Sequence, residues 1–266
     1  MMNKTFAQIA TLALAFSVVA PSTALAMEPS ITTSALTNQG VNGAKCDLRS
    51  QQSLLKIEQA RVTSDAKLIR VRADYDAKLQ GIRSNTDSRL LRNWTERDST
   101  REHQRTERDL AGYKSDALKS AVATYRAAVD AAIKVRRDSV EATRKSFQTT
   151  QDAALKTRRT AVDAAIATRK ASVDAAFATW KTRCAGTSDE IKSANQAFRD
   201  AVAAARSTYK TSVAAAFNAY NASMKTARNT RDAAVKATND TFKTSLKTAW
   251  DALKAAKAAL PPATTK

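Results

Sequence analysis

Residues 160–180 read TAVDAAIATRKASVDAAFATW, and the unit Val162-Asp163-Ala164-Ala165 returns eleven residues later as Val173-Asp174-Ala175-Ala176. The count extends in both directions. Val129, Val140, Val162 and Val173 share one position, with Gln151 the exception, and Asp130, Glu141, Asp152, Asp163 and Asp174 share the next. Four residues after these valine positions stand Ile133, Arg144, Leu155, Ile166 and Phe177. Downstream, Ile191, Val202, Val213, Met224, Val235 and Leu246 are eleven apart, and Phe198, Tyr209, Tyr220 and Phe242 follow members of that series by seven. Upstream, Ile57, Leu68, Leu79 and Leu90 keep the same interval, in step with Asp65, Asp76, Asp87 and Asp98.

Eleven residues close three helical turns at ~3.67 per turn, so an apolar stripe runs almost straight along the axis. Strand alternation is absent. Five glycines and four prolines in 266 residues leave few turns. Alanine adds helix propensity, and acid-to-base pairs four apart such as Asp130–Lys134, Glu141–Lys145 and Asp152–Lys156 support the solvated side. Small residues at Ala132, Ala154, Ala165 and Ala176 permit close helix approach. The expected fold is all-α: long helices with eleven-residue (hendecad) repeats forming an elongated up-down-up three-helix bundle or coiled coil.

Two breaks interrupt the pattern. Around Cys184-Ala-Gly-Thr-Ser-Asp-Glu, Gly186 is suited to end one helix in a left-handed conformation, and Thr187 with Glu190 forms a capping box for the next. The aspartate series reaches Asp109 and resumes at Asp130, one residue out of register, with Gly112 inside the slip. Cys46 and Cys184, the only cysteines, test this turn. A disulfide needs Cα atoms within ~7 Å, and in an antiparallel hairpin bonded residues are equidistant from the turn, here near 115. Helices are therefore expected at about 47–111, 115–184 and 188–259. The stretch 95–109, TERDSTREHQRTERD, lacks any apolar residue and is expected to splay from its neighbours.

The N-terminus, MMNKTFAQIATLALAFSVVAPSTALA, has one lysine, an apolar run and Ala24-Leu25-Ala26, as a cleaved secretory signal does. The domain reading is a signal peptide at 1–26, a disordered leader at 27–45, a disulfide-clamped helical hairpin at 46–184, a third long helix at 185–260 and a disordered tail at 261–266. An exported setting, whether periplasmic, cell-surface or extracellular, suits a disulfide.

Net charge is +19, with 44 basic and 25 acidic residues. Such a balance favours anionic partners, either a polymer or a membrane surface. The paired cations Arg136-Arg137, Arg158-Arg159 and Arg169-Lys170 recur at the repeat spacing and are the candidate polyanion-binding residues. No glycine-rich phosphate loop is present, and His103 is the only histidine. Neither a catalytic constellation nor a metal or cofactor site is expected, and no small-molecule substrate is evident. The chain reads as a structural or adaptor rod, able to self-associate and to dock on anionic envelope polymers. The eleven-residue amphipathic pattern is similar in period and composition to the repeats of apolipoproteins and of desiccation-protection proteins, which implies a membrane-surface alternative. Exported basic chaperones with long helical prongs are similar in charge and shape, which implies a holdase.

Overall fold

The structure is a computed structural model that describes residues 38–113 and 115–260, with side chains from 45 onward. The chain divides into two units, Met1–Gly40 and Val41–Lys266, and the architecture that follows is that of the second. The expected signal peptide, most of the leader and the tail 261–266 lie outside the described residues.

Three helices account for nearly all of it: α1 Asn38–Leu110, α2 Asp116–Arg183 and α3 Ser188–Ala258. No strand occurs among the described residues. At ~1.5 Å per residue, each helix is on the order of 100 Å long. They pack against one another as an up-down-up bundle, in agreement with the hendecad reading. One boundary differs. α1 begins at Asn38, inside the stretch expected as a disordered leader, because extending an established helix adds a hydrogen bond for each residue fixed.

The turns fall where the register and the glycines placed them, with one exchange of roles. Gly112 takes the left-handed conformation, at φ 76°. Ser115 then caps α2, its hydroxyl accepting from the Leu118 N–H at 3.2 Å. Asp109 ties the turn down, accepting from the Tyr113 hydroxyl at 2.6 Å and from Arg126 at 2.8 Å. At the second turn Thr187 and Glu190 form the expected capping box. Gly186 does not adopt positive φ. It is needed for space, since a Cβ there would collide with the Glu190 carboxylate that closes the box.

Cys46 and Cys184 are bonded, with Cα atoms 5.8 Å apart. The bond sits in a cluster with Trp180 and Ala194, flanked by Phe177 and Phe198, and so fastens all three helices at one end. A second cluster lies further along, where Leu79 of α1 meets Leu155 of α2 and Tyr220 and Met224 of α3. The stretch 95–109 does not splay. α1 is unbroken through it, and it is held to α2 by charged side chains in place of apolar ones.

Candidate functional site

The six candidate cations stand on α2, so each adjacent pair differs by ~100° in direction. That angle decides their fate. Arg137, Arg159 and Lys170 reach α1, where they meet Asp98, Asp76 and Asp65 at 2.7, 3.1 and 2.7 Å. Arg136, Arg158 and Arg169 turn to α3, where they lie over the rings of Phe242, Tyr220 and Tyr209 at 5.1, 4.7 and 4.7 Å from the centroids. The six candidate residues are all engaged within the bundle, on both sides of α2. Their periodicity serves two seams at once.

The α1–α2 seam is a reciprocal ion-pair ladder. Arg61, Arg72, Arg83 and Arg105 of α1 pair with Asp174, Asp163, Asp152 and Asp130 of α2. In the opposite sense, Asp65, Asp76, Asp98 and Asp109 of α1 pair with Lys170, Arg159, Arg137 and Arg126 of α2. In every one of these pairs the two residue numbers sum to 235, as an antiparallel pairing in constant register requires. Several are two-pronged, such as Arg72 on Asp163 at 2.6 and 3.2 Å and Arg83 on Asp152 at 2.7 and 3.1 Å. Planar guanidinium forks suit that geometry better than ammonium groups.

The ladder breaks at one level and is repaired there. Position 94 is Trp and position 148 is Gln, where the pattern calls for cations. Arg144 fills the gap, reaching both Asp87 of α1 and Glu141 on its own helix. Arg137 stacks over Trp94, 5.5 Å from the ring centroid. The two polar exceptions in the apolar series thereby find their reason. Arg144 bridges the gap, and buried Gln151 accepts from Arg83 at 3.0 Å.

The α2–α3 seam is of another kind. Ala132 and Ala165 on α2 are buried, as are Ala194, Ala205, Ala216, Ala227 and Ala249 on α3. Cα atoms of the two helices accordingly approach within 8 Å. Beside the alanines runs a cation–aromatic ladder whose numbers sum to 378: Arg136–Phe242, Arg158–Tyr220 and Arg169–Tyr209. One level is inverted, with Arg231 of α3 over Phe147 of α2 at 4.9 Å. At the disulfide end the level is wholly aromatic, Trp180 against Phe198. The Trp180 indole N–H donates to Asn195 at 2.8 Å.

Electrostatics follow the pairing. The Arg137 hydrogen bond, joined by Arg101, holds the Asp98 carboxyl down at about 2. Arg126 and Tyr113 hold Asp109 at about 2. Arg159 lowers Asp76 and Arg105 lowers Asp130. Burial, with the Tyr75 hydroxyl 3.5 Å away, pushes the Tyr220 phenol well above its ordinary value.

No group of three or more metal-ligating side chains occurs among the described residues, and none of the described helices is long and apolar enough to cross a membrane. An open groove of about 760 Å³ between α2 and α3 is lined by alanines, threonines, Val135 and Arg136. His103 is exposed, 3.3 Å from Glu107. Compared with known protein families, with curated proteins and with solved structures, the chain finds no match.

Proposed function

We propose that the chain is an exported structural or adaptor rod, whose role is to hold a fixed length and present a basic surface to anionic envelope polymers. The observation that carries this reading is the double engagement of α2. One face is latched to α1 by ion pairs and the other to α3 by alanines and cation–aromatic contacts, level after level at the eleven-residue interval. Such repetition produces length and stiffness. The disulfide at one end and the Asp109–Tyr113–Arg126 knot at the other limit fraying. The net charge of +19 supplies the attraction to polyanions.

A membrane-surface role is the second reading, and one observation favours it. Leu48, Leu55, Val62 and Ile69 of α1 are 58, 70, 67 and 69% exposed. Circular dichroism and co-sedimentation with anionic vesicles separate the two. A rod already folded keeps its helix content and binds soluble polyanion. Gain of helix with co-sedimentation, and no polymer binding, would overturn the rod in favour of the membrane.

A further inference from the structure

With the paired basic residues of α2 engaged internally, one set of the exposed cations forms a different line. Lys45, Lys56, Lys67, Lys78 and Arg89 are each eleven apart on α1. All five are exposed. At ~1.5 Å per residue they step by ~16 Å along a nearly straight line ~66 Å long, because the interval that straightens the apolar stripe straightens every stripe parallel to it.

Their helical neighbours offer them little to pair with. Some other surface lysines are paired within their own helix, as Lys134 is with Asp138, Lys236 with Asp240 and Lys247 with Asp251. Those that are not, such as Lys119, Lys156 and Lys210, are scattered over α2 and α3 and form no comparable file. Around the α1 column, the positions three and four residues away hold a single acid, Asp74. Arg49, Arg70 and Arg92 stand at those same spacings and add charge of the same sign. No ion pair is formed by any of the five among the described residues. Like charges spaced this way raise the helix's own energy slightly, which an anionic partner reverses.

We propose that Lys45, Lys56, Lys67, Lys78 and Arg89 form the docking face for a linear polyanion lying along α1. This rests on the adaptor reading and supplies its contact surface. A straight file of point charges fits a flexible chain of phosphate or sulfate groups. A flat lipid surface fits less well. The exposed Leu48, Leu55, Val62 and Ile69 recur every seven residues, which turns them by roughly 33° per step against an eleven-residue line. Over three steps they leave the column by about 100°, so one plane does not meet both.

The test uses the mature chain, with heparin and long-chain polyphosphate as probes. Affinity is measured against salt for the native protein and for K45Q/K56Q/K67Q/K78Q/R89Q. The control is K119Q/K156Q/K210Q/K225Q/K254Q, which removes equal charge elsewhere. Glutamine keeps helix propensity, and circular dichroism verifies it. Each engaged cation contributes about 0.7–0.9 to the slope of log affinity on log salt. The column variant is expected to lose about 3.5–4.5 of that slope and the control less than one. Equal losses in both variants would overturn the column and leave the adaptor reading standing on net charge. Failure of the native chain to bind either polymer at low salt would overturn that reading too. Binding to phosphatidylglycerol vesicles alone would overturn the choice of a polymer.

Discussion

The two faces of α2 are built on one interval and held by unlike forces. Toward α3, alanines allow close approach and arginine stems and rings cover the remaining gap, an association governed by burial. Toward α1, long charged side chains meet at the rim, with aspartates 40 to 55% exposed. Exposed ion pairs contribute only ~0–1 kcal/mol each and are screened by salt. The α2–α3 hairpin is therefore the durable part of the bundle. α1 is fastened by many weak, titratable contacts, by the disulfide and by the Leu79–Met224 cluster. Regular spacing fixes register; the chemistry at each level fixes what conditions will undo it.

The largest expected effect comes from freeing α1 at its start. Cys46→Ser with Cys184→Ser opens a loop with a sequence separation of 138, worth up to ~4–5 kcal/mol in the chain-entropy model. Denaturation followed by hydrogen exchange should show α1 releasing first, with α2 and α3 still protected. Simultaneous loss of all three helices would show that the two seams are equally strong.

Acid is expected to act next. Asp98 and Asp109 have folded pKa values of about 2, below those of an unfolded chain near 3.9. A depressed carboxylate contributes stability above the unfolded value and loses it as pH falls through the folded one. Amide exchange in 95–109, which has no apolar cover, should therefore rise between pH 4 and 2, before that of α3. Parallel rises in both would contradict the ladder's role.

Much of this was legible in the sequence. The interval of eleven gave the helices, the register slip and Gly112 gave the first turn, and Thr187 with Glu190 gave the second. The two cysteines, whose numbers sum to 230, came within five of the register that the ladder keeps. The destination of the basic pairs was not legible by the rule that charge lies outside. Neighbouring residues on a helix diverge by ~100°, and a pair beside the stripe straddles it, so each member faces a different helix. The signal was present in the aspartates of α1, which run in step with the cations of α2 once the turn is fixed. It was present too in Gln151 and Arg144, polar residues in an apolar series. The start of α1 at Asn38 had no such mark, since residues 38–44 belong to none of the eleven-residue series.

Overpacking at Ala194, where the alanine seam meets the disulfide cluster, should have a smaller effect. Ala194 is 2% exposed. Ala194→Leu has no space to fill and should cost ~1–3 kcal/mol, read as a lowered denaturation midpoint that salt does not restore. A neutral result would mean that α2 and α3 can part by a side chain's width without loss.

The smallest effect is also the most specific to the ladder. Arg72 and Asp163 face each other across α1 and α2, at 2.6 Å, with Arg72 26% and Asp163 52% exposed. Their partial exposure limits the coupling to ~1 kcal/mol or less. Arg72→Asp puts two carboxylates together, and Asp163→Arg puts two guanidinium groups together, so each alone should destabilise. With both changes the pair is restored in reverse, and stability should return most of the way toward native. Raising salt should shrink the coupling, because the pair lies at a solvated rim. The same exchange on the α2–α3 seam is already present in the native chain, at Phe147 and Arg231, where ring and cation trade helices without loss of contact. If the double variant remains as unstable as the sum of the single ones, register depends on the particular residues at each level and not on charge complementarity, and the α1–α2 seam would then be as specific in shape as its apolar counterpart.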